Sequence, residues 1–245
     1  LTNVTFSNNS ATVYGGGMHN FSSNPTLMDI TFSDNSAGTG GGMYNSSGNP
    51  VLTNGTFSGN TAEKGGGIYN IYSNPILTNV TFSGNSASSF GGGLYNDASN
   101  PVLTSVTFSG NLAFNSGGGV SNSGYSRLQI RNAILWNNHA PTGAQIDTPY
   151  GFVTMSDSVI QGGCPAGSTC TNIITTDPLL GILGNYGGFT QTIPILAGSS
   201  AIDAGNDAVC PATDQRGIAR PQGAGCDIGA FEYVVPLGAF EKLGP

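Results

Sequence analysis

Apolar residues recur along the first half of the chain with two superimposed periods. Locally they alternate. In Leu77–Ser83, Val80 and Phe82 share one face while Thr81 and Ser83 point the other way, as expected of a half-buried strand. Over longer distances the whole pattern returns every 25 or 26 residues. Phe6, Phe32, Phe57, Phe82 and Phe108 hold one place in successive units, and an asparagine follows three residues later at Asn9, Asn35, Asn60, Asn85 and Asn111. A glycine triplet comes next, at Gly15–Gly17, Gly40–Gly42, Gly65–Gly67, Gly91–Gly93 and Gly117–Gly119. A second asparagine closes each unit at Asn20, Asn45, Asn70, Asn96 and Asn122.

A repeat of this length predicts a solenoid in which each unit buries its apolar face only by stacking on its neighbours. Glycines and β-branched residues in every unit, with no sustained 3.6 period, argue against helices. The units are too short for four-stranded propeller blades. The expected fold is all-β: one right-handed parallel β-helix of 25–26-residue coils. Stacking predicts an apolar column of Leu1, Leu27, Leu52, Leu77 and Leu103, and another of Val4, Ile30, Val80 and Val106 interrupted by Gly55. A further column runs through Met18, Met43, Ile68, Leu94 and Val120. The two asparagine columns predict amide ladders at corners, where Asn tolerates a left-handed backbone. Asn-Pro pairs ending at Pro25, Pro50, Pro75 and Pro101 begin the next turns.

The pattern weakens after Asn122 but persists. Ile130–Asn138 places Leu135 in the phenylalanine column and Asn138 in the asparagine column, and Met155–Gly163 repeats this with Ile160. Residues 1–163 are therefore expected to form regular coils, 164–233 irregular last coils, and 234–245 an apolar tail acting as a cap or as a strand added to another subunit.

Composition narrows the function. Of 245 residues only 8% are charged, 39 are glycine, and the net charge is −7. That balance lacks the basic patch needed for nucleic acid or an anionic membrane surface. No apolar run reaches the roughly 18–20 residues of a membrane span. The four cysteines fall in two local pairs, Cys164/Cys170 and Cys210/Cys226. Without a nearby histidine or second CxxC, they read as disulfides rather than a zinc site, and so place the chain outside the cytoplasm. No cofactor or metal is expected.

Two stretches resemble known families. The repeated Phe-x-x-Asn and Gly-Gly-Gly-apolar pair resembles the repeats of polymorphic outer membrane proteins, which are autotransporter adhesins. Asp177–Leu180, Asn185–Gly188, Ala201–Gly205, Asp214–Gly217 and Cys226–Glu232 resemble the choice-of-anchor Q domain of bacterial extracellular β-helix proteins. These resemblances imply a secreted or cell-surface β-helix.

Catalysis on polysaccharides would require convergent carboxylates. In the regular coils Asp29, Asp34, Glu63 and Asp97 occupy different repeat positions, and His19 and His139 have no partner at a recognisable spacing. Asp203, Asp207, Asp214 and Asp227 lie near Arg216 and Arg220; they read as an ion network holding the cysteine loop, with a calcium site as the alternative. Tyr44, Tyr69 and Tyr95 should form an outward aromatic stripe, able to bind glycans or simply to stabilise the stack. The chain begins within a coil, so Leu1, Val4 and Phe6 are expected at an open end that either upstream residues cap or Val234, Val235, Leu237 and Phe240 of another copy cover, head to tail. The function expected is that of a non-catalytic adhesin stalk or filament subunit, with a polysaccharide-active enzyme or a carbohydrate-binding module as alternatives.

Overall fold

The computed structural model describes residues 1–235, and the chain winds through them as a parallel β-solenoid. A single coil shows why. Val51–Ser58 is a long strand; Thr61–Lys64 forms the next side, the glycine triplet turns the chain, and Ile68–Ile71 forms the third side. Successive coils pair in parallel, giving a ten-stranded, a three-stranded and a six-stranded sheet. The register is the one set by the repeat: Phe57 faces Phe32 and Phe82, and Leu135 and Ile160 continue the column beyond Phe108.

The corners are built by residues in the left-handed region. In one coil these are Asn54, Gly59, Gly65 and Tyr72, with φ of 55°, 64°, 64° and 49°. The first of them lies within the long strand and bends it. In the fifth coil the equivalent Ser105 splits the strand into Val102–Thr104 and Thr107–Ser109. Asn, Asp and Gly dominate these positions because Gly has no Cβ and the short polar side chains of Asn and Asp tolerate this conformation, which costs other L-residues about 1–2 kcal/mol.

Each glycine of a triplet answers a different constraint. Gly65 has φ +64°; a Cβ on Gly66 would lie 2.5 Å from the carbonyl oxygens of Ser86 and Gly92 in the next coil; one on Gly67 would lie 2.5 Å from the Gly93 carbonyl oxygen and 3.1 Å from the Phe82 ring. No side chain fits at the second or third position, so the glycines let the coils approach to strand-pairing distance.

Inside, the phenyl rings of Phe6, Phe32, Phe57, Phe82 and Phe108 stack nearly parallel, with centroids 4.9, 4.8, 4.9 and 4.3 Å apart. The last four are fully buried. Both asparagine ladders form. Along one, Nδ2 of Asn35, Asn60, Asn85 and Asn111 donates to Oδ1 of the next member at 3.0, 2.8, 2.9 and 2.8 Å. Along the other, Asn20, Asn45 and Asn70 donate at 2.8, 2.8 and 2.9 Å. A third, exposed ladder that the repeat alone did not announce joins Asn24, Asn49, Asn74 and Asn100, each accepting from a backbone N–H one coil on.

Thr169–Ile174 adds one more parallel strand, against Phe152–Ile160, so regular pairing extends past residue 163. The chain after Ile174 then turns back along the outer face of the long sheet. Gln215 anchors it: Nε2 donates to Gly55 O at 3.0 Å and to Thr190 Oγ1 at 2.9 Å, while Oε1 accepts from Thr81 Oγ1 at 2.7 Å. Ala230 N–H donates to Thr107 Oγ1, and Gly229 N–H to Asn132 O. Ile134, Trp136 and Val159 meet Ile195, Ala201, Ile228 and Phe231 in a second, smaller core between this segment and the sheet. Cys164 pairs with Cys170 and Cys210 with Cys226.

Candidate functional site

Tyr44, Tyr69 and Tyr95 stand in one register column on the outer side of the six-stranded sheet, between His19 and Ser121. Their rings stack, with centroids 5.2 and 5.1 Å apart. They do not form an open stripe. Each is only 8% exposed, because a ring in a ladder has its faces covered by its neighbours. Ile71 and Phe90 pack against the edges, and Tyr14 and His19 close the lower end at 4.5 and 5.1 Å from Tyr44. Lys64 Nζ lies 5.9 Å from the centroids of both Phe90 and Tyr95.

Burial raises the phenol pKa values above the ordinary range. At Tyr69 burial is the main cause and the nearby Asp97 carboxylate adds to it; at Tyr44 burial acts first and Tyr14 second. At Tyr95 burial outweighs a hydrogen bond with Ser123. These phenols are neutral and are not proton-transfer groups at physiological pH.

At the upper end the column changes character. After Tyr95 come Ser121 and then Asp147, which the sequence reading passed over. The signal was present: Gly143 stands as far before Ile146 as Gly117 before Val120, and in the structure Ile146 continues the column of Val120. Only a single glycine of the triplet survives there, which hid the register.

The second cluster of charge lies on the flanking segment. Asp214 binds Arg216 at 2.7 Å and accepts from the N–H groups of Arg216, Ile218 and Glu232. Glu232 binds Arg220 at 3.0 Å and accepts from the N–H of Gln222 and of Asp227. Asp227 accepts from the N–H of Asp203 and of Tyr233. Arg216 also stacks 3.5 Å over the Phe231 ring. Burial raises the Asp227 pKa to about 6 despite these two N–H donors, and burial lowers that of Arg220 despite its carboxylate neighbours. Glu232 belongs to this network, although the sequence reading had grouped only the aspartates with the arginines.

The other residues expected at interfaces are placed as follows. Leu1 is 60% exposed, while Val4 and Phe6 are half-buried against the core. Val234 and Val235 are exposed, and Leu237 and Phe240 lie outside the described residues. Among the described residues no helix is long and apolar enough to cross a membrane.

No curated protein and no solved structure matches the chain. Residues 3–17, 54–71 and 79–97 match the model of the Chlamydia polymorphic membrane protein repeat. These segments contain the strand, glycine and asparagine positions that build the first, third and fourth coils, so the coils of this β-solenoid are similar to that repeat, which is found in outer-membrane surface proteins.

Proposed function

We propose that the chain is a non-catalytic, surface-exposed adhesive β-helix, with its coils forming a rigid stalk. The observation that carries this reading is the use made of the clustered carboxylates. Asp214, Asp227 and Glu232 are each at most 2% exposed and are bound to arginines or backbone N–H groups. They hold the flanking segment together, and the two exposed aspartates beside them, Asp203 and Asp207, each accept a backbone N–H, from Gly225 and Cys226, and so serve the same loop. The outward positions of the regular coils are mostly Thr, Ser and Asn, and Asn24, Asn49, Asn74 and Asn100 bond to the backbone of the next coil. Similarity to a repeat of outer-membrane surface proteins supports a cell-surface setting. So does the resemblance of residues 177–232 to the choice-of-anchor Q domain.

The test is to coat beads with the purified chain, score attachment to cell monolayers, and incubate the same protein with neutral and acidic polysaccharides. Attachment above that of an unrelated β-solenoid, with no new reducing ends or unsaturated products, is the expected result. Release of any oligosaccharide would overturn the non-catalytic assignment.

A further inference from the structure

The tyrosine ladder stops one layer short of a wall. With rings about 5 Å apart, Ser121 in place of a fourth ring leaves a shallow slot at the top of the ladder, with Tyr95, itself 8% exposed, at its base. Phe90, Pro149 and Tyr150 enclose it, and the recess holds about 260 Å³. Tyr150 is 69% exposed on the loop that follows Asp147. Polar atoms enter from Ser121, Ser123 and Asp147. Ser116 Oγ donates to Asp147 Oδ2 and orients the carboxylate; among the described residues no donor reaches Oδ1.

We propose that this slot binds the terminal pyranose of a neutral glycan, an inference that rests on the adhesive reading and supplies its ligand class. A pyranose is a ring with an apolar C–H face, so it can pack against the exposed Tyr150 ring, with Tyr95 at the base of the slot. Its edge hydroxyls can donate to Asp147 Oδ1, which a phenyl group cannot do. Acidic sugars are disfavoured because Asp147 lines the slot and Asp97 lies one coil below Ser123. A quaternary ammonium is nearly spherical and calls for a cage of rings, whereas this opening is flat. Lys64 does not fill the slot, because it pairs with Phe90 from the preceding coil, on the opposite side of that layer. One stacking face and one charged acceptor place the affinity for a single ring at about millimolar.

The experiment is saturation-transfer NMR and titration of the whole chain with methyl β-glucoside and methyl β-galactoside, with N-acetylneuraminic acid and choline as controls. At least one neutral glycoside is expected to bind, and neither control. Asp147→Asn should weaken binding about tenfold or more, as for loss of a charge-assisted hydrogen bond. Tyr150→Ala should weaken it about threefold to tenfold. Ser121→Tyr should complete the ladder and abolish binding without lowering the melting temperature. The proposal is overturned if no neutral glycoside binds, if a control binds equally well, or if Asp147→Asn and Tyr150→Ala, which leave the coils intact, bind like wild type. Scoring cell attachment in parallel separates the two readings. Variants that lose the sugar yet attach normally refute the slot as the adhesive site, whereas failure of the wild type to attach refutes the adhesive function itself.

Discussion

Replacing Asn85 by alanine should cost far more than replacing Asn9, although both are members of the same ladder. The Asn85 side chain makes four hydrogen bonds. Its Oδ1 accepts from the backbone N–H and Nδ2 of Asn60 at 3.1 and 2.8 Å, and its Nδ2 donates to Asn111 Oδ1 and Phe57 O, both at 2.9 Å. Alanine strands the Asn60 N–H and one Asn60 Nδ2 hydrogen, both on a fully buried residue, while the Phe57 carbonyl keeps its strand pairing with the next coil. Asn111 Oδ1 keeps a partner, the Asn85 N–H at 3.1 Å. Each stranded group costs about 1–3 kcal/mol, and coupling among neighbours holds the sum near 3–5 kcal/mol. Asn9 is exposed and makes a single side-chain bond, to Asn35 Oδ1 at 2.9 Å; that oxygen retains the Asn9 N–H at 3.0 Å. Its loss should cost about 0.5–1.5 kcal/mol. Urea unfolding of the two variants at matched m-values measures the difference, and amide exchange at Asn60 localises it. A gap below about 1 kcal/mol would refute the view that buried side-chain amides, rather than the strand pairing alone, hold the coils in register.

Three further outcomes follow from the same geometry. Gly66→Ala should destabilise by about 3 kcal/mol or more in thermal melts, because its Cβ would sit 2.5 Å from two carbonyl oxygens, whereas Gly84→Ala meets no atom within 4 Å and should cost only the left-handed φ, about 1 kcal/mol. Gln215→Ala should loosen the flanking segment, so limited proteolysis within residues 175–235 accelerates while the coils stay protected; equal cleavage rates would disprove the anchor. Asp227 has a folded pKa of about 6 against an ordinary 3.8, so between those values the native state holds a proton that the unfolded chain has released. Its contribution to stability is therefore full below pH 3.8 and is lost as pH rises through about 6. Asp227→Asn should remove that part of the pH dependence of the melting temperature, and an unchanged slope would contradict it.

The regular coils were legible because each inward position recurs with its chemistry intact. Phe82 predicts the place of Phe108, and the spacing to the next asparagine carries the register to Leu135 and Asn138 even where the aromatic is lost. The glycine triplet was legible as close packing, but not as three separate constraints, since only the neighbouring coil reveals that Gly66 abuts two carbonyl oxygens. The course of residues 175–235 was not legible. Their strand-like pieces are short, and what fixes them is a set of long-range bonds, Gln215 to Gly55 and Ala230 to Thr107, that no local pattern encodes. The burial of Tyr44, Tyr69 and Tyr95 was missed for a related reason. Alternation correctly places them outside the main core, but the sequence does not show that Phe90, Ile71 and Tyr14 close over them.

That burial changes where recognition can occur on such a fold. In a solenoid each outward side chain lies about 4.8 Å from those above and below, so where these are identical, aromatic faces and amide groups are saturated within the ladder. A uniform column stabilises the stack but presents only edges to a ligand. Recognition requires a break in the column, where one layer is missing and the group beyond it is different. The step from Tyr95 to Ser121 to Asp147 is such a break: it ends the ring stack, opens a recess and sets a carboxylate in its lining. The regular coils below it supply rigidity, since the stacked rings and the two asparagine ladders fix the height of the slot. On this chain the defect in the repeat, rather than the repeat itself, has the geometry of a binding site.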